Sequence, residues 1–279
     1  MKQRVISALI GLLILSSAIA LIGTIFFNMI IAAVSVMALF EMLRASGCLK
    51  NPCLDSLSFL MAAIIPFFNE PAIKGWVLPI LFLFFVSFCI LLIKNLRTER
   101  LEQVSVMILF SLFVPLFFSC AVFMRDFYGV VAGSFYLLFA LGCAWLCDTC
   151  AYFAGRAFGR HKLAPFVSPK KTVEGLIGGL LGCTVFMILI AFLFTLCLEA
   201  FGVYIYVNYI AILLLTPVCA MLGVLGDLFA SVIKRQFSVK DFGDIMPGHG
   251  GVMDRFDSVL FTIPATFIIA HAISLISVL

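Results

Sequence analysis

The most polar stretch of an otherwise apolar chain lies between residues 231 and 257. It contains four of the 18 Lys and Arg residues, four of the 14 Asp and Glu residues, and His249, one of three histidines. Carboxylates bind Mg²⁺ through oxygen, and nearby cations neutralise charge on phosphates. The pattern indicates transfer chemistry at phosphate; the alternative is a solvated, charged loop between two membrane spans.

One carboxylate, one hydroxyl and two cations are spaced to share a helix face. Ser231 follows Asp227 by four residues, and Lys234 and Arg235 follow Ser231 by three and four. Side chains at these spacings lie near one face of a helix. We therefore expect the helix that carries Asp227 to continue past Ser231 and to present all four groups at the membrane surface.

A glycine-rich turn leads from these groups to a second acidic segment. Its sequence, PGHGG at residues 247–251, places Gly250 and Gly251 directly after His249. Glycines let a backbone approach a ligand closely, and such a turn can offer amide N–H groups to phosphate. Asp254 and Asp257 follow, three residues apart, a spacing that makes them neighbours on a helix.

Asp148 ends a long apolar run. A carboxylate at that depth is costly unless it has a partner. Asp148 is either a helix-end residue that faces lipid headgroups or a contact for metal or substrate.

A short polar segment precedes the apolar run that begins near residue 176. Pro165 and Pro169 make this segment extended, and Thr172 is placed to cap the helix that follows. Lysines beside a helix N-terminus form an anion site, although such lysines also anchor membrane topology and contact anionic lipid. The polar groups of the segment are Ser168, Lys170, Lys171 and Thr172.

The composition defines the class of protein. Hydrophobic residues make up 64% of the 279 residues and charged residues 11%, whereas soluble domains average about 25% charged. Apolar runs of about 20 residues, each long enough to cross a bilayer core, recur along the chain. We predict an all-α polytopic membrane protein that forms a single integral-membrane domain, with N-terminal spans in residues 5–128 and catalytic spans in residues 129–279.

We place nine transmembrane helices. The first two fill residues 5–43 with a turn near residues 23–28, and a short third lies at 54–68. The other six lie at 76–93, 104–124, 129–147, 176–198, 203–226 and 258–279. The seventh opens with glycines at a spacing that allows close helix packing.

The distribution of cations predicts the sidedness. With the N-terminus in the cytoplasm, every Lys and Arg except Lys74 and Arg125 falls on the inside, as the positive-inside rule requires. The C-terminus then lies on the outer side, and the polar stretch faces the cytoplasm.

The polar segments together resemble the signature of the phosphatidate cytidylyltransferase, or CDP-diacylglycerol synthase, family. The match comprises Ser231-x-x-Lys234-Arg235, then Lys240-Asp241, then PGHGG and Asp254-Arg255-x-Asp257. The segments around Asp148 and residues 168–175 are similar to the same family. The resemblance covers roughly the C-terminal half of the chain.

The resemblance implies a nucleotidyltransferase of phospholipid biosynthesis. The reaction that it implies is the condensation of CTP with phosphatidate to give CDP-diacylglycerol and pyrophosphate, with Mg²⁺ as the expected cofactor. The resemblance also implies the bacterial inner membrane, a homodimer, a possible second site for a monovalent cation near the metal, and no nucleic-acid partner.

Residue roles carried over from the family follow from position. Asp227 and Asp254 are the expected metal ligands. Because a phosphate monoester is already largely ionised at pH 7, no strong base is needed, and we expect His249 to position substrate rather than to act as a base. The groups expected around the phosphates or along the cavity are Asp148, Ser168, Lys170, Lys171, Thr172, Ser231, Lys234, Arg235, Lys240, Gly250, Gly251, Arg255 and Asp257.

Three other functions remain as alternatives. A CDP-alcohol phosphatidyltransferase would show Asp-Gly-x-x-Ala-Arg followed by spaced aspartates, a string that this sequence lacks. A CTP-dependent lipid-alcohol kinase is disfavoured by the full signature over residues 240–257. A membrane lipid transporter would carry charges deep in several spans, whereas here the charges collect at one face.

Overall fold

The computed structural model describes residues 16–97, 99–244 and 250–278. These residues divide into two units, each described here by itself. The first unit is drawn from Met1–Phe123 and Phe237–Arg255, and the second from Met124–Gln236 and Phe256–Leu279. The predicted division into N-terminal spans over residues 5–128 and catalytic spans over residues 129–279 stays a prediction. The assignment to a single integral-membrane domain stays a prediction.

The first unit is built from helices that proline and asparagine help to start. Residues 16–20 are helical and residues 21–24 form a turn, slightly before the predicted position. Asn51 caps α2 by accepting a hydrogen bond from the Cys53 N–H at 3.1 Å, a residue type preferred at this position. The helices are α1 (Ile25–Ala45), α2 (Pro52–Ile64, with a 3₁₀ turn Ile65–Phe67), α3 (Pro71–Lys74) and α4 (Val77–Lys94).

The longest helix, α5 (Leu101–Phe158), contributes residues to both units. It consists of two helical segments joined at Gly129, where φ is 82° and ψ is 171°. Glycine tolerates this positive φ because it has no Cβ. The predicted fifth and sixth spans, 104–124 and 129–147, correspond to the two segments.

The second unit adds two small antiparallel pairs of strands to its helices. Strand β1 (Lys162–Ala164) pairs with β2 (Ser168–Thr172), and β3 (Ile205–Val207) pairs with β4 (Ile276–Val278). Its further helices are α6 (Val173–Ala200), α7 (Tyr209–Gln236) and α9 (Val259–Ala272), and the short helix α8 (Met253–Phe256) lies at the boundary between the units.

The β3–β4 pair shifts two predicted span limits. The helix expected from residue 203 begins at Tyr209, and the helix expected to reach residue 279 ends at Ala272. The strand residues between those limits exchange backbone hydrogen bonds with each other instead of with a helix. Asn208 then accepts a hydrogen bond from the Ala211 N–H at 3.0 Å and caps α7.

Five helices in the described ranges are long and apolar enough to cross a membrane. Their number and composition agree with the predicted all-α, multi-pass membrane protein. The nine-span count and the sides of the two termini stay predictions. The five helices are Ile25–Ala45, Val77–Lys94, Leu101–Phe158, Val173–Ala200 and Tyr209–Gln236.

Glycines at the start of α6 allow it to lie directly against the end of α5. A Cβ added at Gly179 would lie 2.8 Å from the Ala151 Cβ and 2.9 Å from the Cys147 carbonyl oxygen, and one at Gly178 would lie 2.3 Å from the Ala154 Cβ. Real Cβ atoms do not approach other atoms so closely, so these positions require glycine. The predicted close packing through small residues is confirmed inside the second unit.

This packing predicts that Gly179→Ala destabilises the protein. The added methyl group forces α5 and α6 apart, and overpacking of this kind costs about 1–3 kcal/mol. Thermal unfolding in detergent micelles measures the effect. Gly75→Ala is the matched control because a Cβ at Gly75 would meet nothing within 4 Å. Equal melting temperatures for the two variants would contradict the proposed contact.

Candidate active site

A cavity of about 420 Å³ lies in the second unit. Its volume is within the range of small-molecule sites, roughly 300–1,000 Å³. It is walled by the end of α5, the β1–β2 hairpin, the start of α6 and the second half of α7. The lining residues are Asp148, Ala151, Tyr152, Gly155, Arg156, Leu163, Lys170, Lys171, Thr172, Gly175, Leu176, Val224 and Asp227.

An ion pair between Lys171 and Asp227 crosses this cavity. Lys171 comes from β2 and Asp227 from α7, and their side chains are 24% and 21% exposed. One turn later on α7, the Ser231 Oγ donates to Asp227 Oδ1 at 3.5 Å. The prediction that Asp227 and Ser231 share a face of one continuous helix is confirmed, because α7 runs to Gln236.

Ser258 links two further carboxylates in the same unit. Its Oγ donates to Asp148 Oδ2 at 3.1 Å and lies 3.4 Å from Asp257 Oδ1, to which its backbone N–H donates at 2.8 Å. Asp148 therefore has a specific partner and is not simply a headgroup-facing residue. The sequence analysis missed Ser258, although its place directly after Asp257 in the signature was a signal.

The charges around Asp257 disfavour its ionised form. Burial, followed by the Asp227 carboxylate, raises the pKa of Asp257 to about 7, while the Lys234 ammonium opposes this rise. Asp257 is 8% exposed. Several carboxylates thus lie close enough to disfavour one another's charge, and such an arrangement attracts cations.

No group of three or more His, Cys, Asp or Glu side chains within residues 16–97, 99–244 and 250–278 is placed to hold a metal ion. The donors that the second unit does supply near the cavity are carboxylate and hydroxyl oxygens. Oxygen donors of this kind suit Mg²⁺.

The β1–β2 hairpin is fixed at the start of α6. The Thr172 Oγ1 accepts a hydrogen bond from the Gly175 N–H at 3.1 Å, which confirms the predicted cap. The Glu174 carboxylate accepts hydrogen bonds from the backbone N–H groups of Arg160 and His161 at 3.0 and 3.1 Å. These contacts place Lys171 inside the cavity.

The predicted residues of the second unit do not all meet in the cavity. Asp148, Lys170, Lys171, Thr172 and Asp227 line it. The remaining five do not line it. Ser168 lies at the far end of β2, opposite Ala164, and Ser231 lies one turn after Asp227 on α7. Lys234 and Arg235 occupy the last turn of α7, and Asp257 follows α8.

The glycine-rich part of the signature belongs to the first unit. Asp254 Oδ2 accepts hydrogen bonds from the backbone N–H groups of Phe242 at 2.8 Å and Gly251 at 3.1 Å. Asp254 therefore joins the two ends of this loop, and Gly250 adopts a positive φ of 84° beside it. His249 lies outside the described residues.

Lys240 and Arg255 lie in the same part of the first unit, and both are exposed. The Arg255 N–H donates to the Val252 carbonyl oxygen at 3.0 Å within the turn that leads into α8. Both cations are therefore accessible to an anionic ligand.

Glu41 is a site residue that the sequence analysis missed. It lies in α1, is fully buried, and accepts hydrogen bonds from the backbone N–H groups of Val252 at 3.0 Å and Met253 at 2.8 Å. The available signal was a single carboxylate inside a predicted membrane span, which is rare unless it has a partner or a function.

The sequence profile of the Cytidylyltransferase family matches residues 2–273. The phosphatidate cytidylyltransferase of Bacillus subtilis is 33% identical over 272 residues, which cover 95% of each chain. The protein of that name from Staphylococcus epidermidis is 48% identical over 129 residues, 46% of each chain. That from Staphylococcus saprophyticus is 46% identical over 132 residues, 47% of each chain.

The chain therefore belongs to the cytidylyltransferase family. Within it, the chain groups with the enzymes named phosphatidate cytidylyltransferases, as the resemblance in its signature predicted.

The raised pKa of Asp257 predicts a pH-dependent stability. Because the folded state binds this proton more tightly than the unfolded state, stability falls as the pH rises from about 4 to the folded pKa of about 7. Asp257→Asn removes this proton and is expected to reduce the slope by up to about 1.4 kcal/mol per pH unit.

Melting temperatures at pH 5, 6 and 7 in detergent with a chelator measure this slope. Asp241→Asn is the control, since its side chain belongs to the same polar stretch but is exposed. A native slope in Asp257→Asn would refute the assignment of the effect to this carboxyl group.

Proposed function

We propose that this protein transfers the cytidylyl group of CTP to phosphatidate. An oxygen of the phosphatidate phosphate attacks the α-phosphorus of CTP, the bond to the β-phosphate oxygen breaks, and pyrophosphate leaves with CDP-diacylglycerol as the other product. The observation that carries the proposal is the Lys171–Asp227 ion pair in a cavity lined by α5, β2 and α7, in a chain of this family.

The cations of the cavity suit the charge of both substrates. Lys171 is half-buried inside it, and Lys170 and Arg156 also line it. Ammonium and guanidinium groups offer strong hydrogen bonds to phosphate oxygens, and a partly buried cation is screened less than an exposed one. We assign the triphosphate of CTP to these groups, with Lys234 and Arg235 at the end of the same α7 helix.

Positioning and electrostatics supply the catalysis. A phosphate monoester is already largely ionised at pH 7, because its second pKa is about 6, so the attacking oxygen needs no strong base. Preorganised donors aimed at the phosphates stabilise the charge of the transition state. The Gly250 amide, Lys240 and Arg255 are the proposed first-unit donors, and His249 is a positioning donor in the same loop. The Gly251 N–H donates to Asp254 Oδ2, so Gly251 contributes through the shape of the turn.

Mg²⁺ fits the oxygen donors of the site. Proteins bind Mg²⁺ through one or two carboxylates and leave the remaining positions to substrate phosphates and water. On the family resemblance, we assign Asp227 of the second unit and Asp254 of the first unit as metal ligands. The ion, when bound, neutralises phosphate charge and orients the reacting groups. A second, monovalent cation near it is part of the same proposal.

The setting is the bacterial inner membrane. We propose that phosphatidate enters from the bilayer with its phosphate at the cytoplasmic face, where CTP is present. The predicted excess of cations on that side supports this orientation. The resemblance to the phosphatidate cytidylyltransferase family supports a homodimer and a role in phospholipid biosynthesis.

Turnover with two differently labelled forms of CTP tests the reaction. In detergent micelles with phosphatidate and Mg²⁺, label at the α-phosphate should enter the lipid product and label at the γ-phosphate should leave as pyrophosphate. Omission of Mg²⁺ should abolish the product. Label from the γ-phosphate in a lipid would instead establish a CTP-dependent lipid kinase.

Asp227→Asn and Asp254→Asn are each expected to lower turnover by about 100-fold or more, since each removes a charge from a preorganised site. The control is Glu199→Gln, which changes an exposed carboxylate near the end of α6 in the second unit. A loss of turnover supports the assigned role only where the melting temperature shows that the variant is folded. Native turnover in either aspartate variant would rule out the role of that aspartate.

A further inference from the structure

Glu41 is a fully buried carboxylate whose two oxygens both serve one turn of the signature loop. Oε1 accepts from the Val252 N–H at 3.0 Å and Oε2 from the Met253 N–H at 2.8 Å. Val252 and Met253, which carry these two amides, are the two residues directly before Asp254. Two hydrogen bonds from adjacent backbone N–H groups to one buried side chain hold the turn at residues 251–253 firmly.

Two glycines of the loop leave the space that this carboxylate occupies. A Cβ at Gly243 would lie 2.2 Å from Glu41 Oε1, and a Cβ at Gly251 would lie 2.3 Å from Glu41 Oε2. Neither distance is possible for a real side chain. Gly251 is therefore explained by the carboxylate behind the loop, independently of any ligand in front of it.

The same helix also holds the beginning of the loop. The Arg44 Nη2 lies 3.5 Å from the Phe242 carbonyl oxygen and 3.4 Å from Asp244 Oδ1. The Phe242 N–H in turn donates to Asp254 Oδ2. Helix α1 thus contacts the residues on both sides of the glycine-rich turn through Glu41 and Arg44.

We propose that Glu41 is a positioning residue, which fixes the turn at residues 251–253 so that the Asp254 carboxylate is presented in one orientation. One Asp254 oxygen, Oδ2, accepts hydrogen bonds from the Phe242 and Gly251 backbone N–H groups and so fixes the carboxylate to both ends of the loop. The inference rests on the proposed function in that Asp254 is there assigned to Mg²⁺.

Glu41→Gln separates the hydrogen bonds from the packing. Glutamine keeps the volume of glutamate, but its NH₂ group is a donor and would face one of the two backbone N–H donors. Glu41→Asp keeps both acceptors on a shorter side chain. The matched control is Asn28→Ala in the same helix, whose buried side chain donates to the Pro66 carbonyl oxygen at 3.0 Å and to Glu70 Oε1 at 3.3 Å.

Hydrogen exchange of the Val252 and Met253 amides, followed by mass spectrometry in detergent, is the direct measurement. Glu41→Gln should accelerate their exchange, and Glu41→Asp should recover part of the protection. Asn28→Ala should lower the melting temperature and leave this exchange native. Native protection in Glu41→Gln, or equal loss in Asn28→Ala, would overturn the proposal.

Turnover gives the functional readout. Groups that orient a metal ligand are typically worth 10–100-fold in metal affinity or activity, so Glu41→Gln should raise the Mg²⁺ concentration for half-maximal turnover by at least about 10-fold. Asn28→Ala should keep the native value. If the native protein makes CDP-diacylglycerol and Glu41→Gln has the same Mg²⁺ requirement, the proposed function stands and the positioning role of Glu41 is refuted. A native protein that makes no CDP-diacylglycerol refutes the function, and the exchange result then decides the role of Glu41 by itself.

Discussion

The pairing of Lys171 with Asp227 is the interaction on which the polar cavity depends. A carboxylate near the end of an apolar helix is costly unless an opposite charge meets it. Lys171 reaches Asp227 because the β1–β2 hairpin is fixed by the Thr172 cap and by the contacts of Glu174. The glycine packing of α6 against α5 supports the same geometry from behind. Loss of any of these elements would displace Lys171 from Asp227.

Local patterns predicted much of the helical structure. The apolar runs marked the membrane helices, the spacing from Asp227 to Ser231 predicted one continuous helix, and Thr172 was recognised as a cap. Each of these features depends on neighbours within a few residues along the chain. Sequence reasoning is strong at that range because helix geometry alone brings the groups together.

The features that were missed depend on distant parts of the chain. Glu41 meets amides more than 200 residues away, and β3 pairs with a strand about 70 residues later. No local sequence pattern predicts that Glu41 binds these amides or that β3 pairs with β4. The glycine-rich turn at residues 247–251 was interpreted as access for phosphate. Gly251 in this turn, and Gly243 before it, also make room for a carboxylate. A glycine in the sequence indicates that another group packs closely against the backbone, but it does not show on which side of the backbone that group lies.

Ser258 serves two acids with two different donors. A hydroxyl carries one proton, so its Oγ can satisfy Asp148 or Asp257 at a given moment but not both. The Ser258 backbone N–H already donates to Asp257, which leaves the hydroxyl for Asp148 at 3.1 Å. A substitution at Ser258 can therefore change the hydrogen bonding of Asp148 without changing the backbone hydrogen bond to Asp257. Removal of the hydroxyl would strip Asp148 of this donor and leave Asp257 with its backbone hydrogen bond intact.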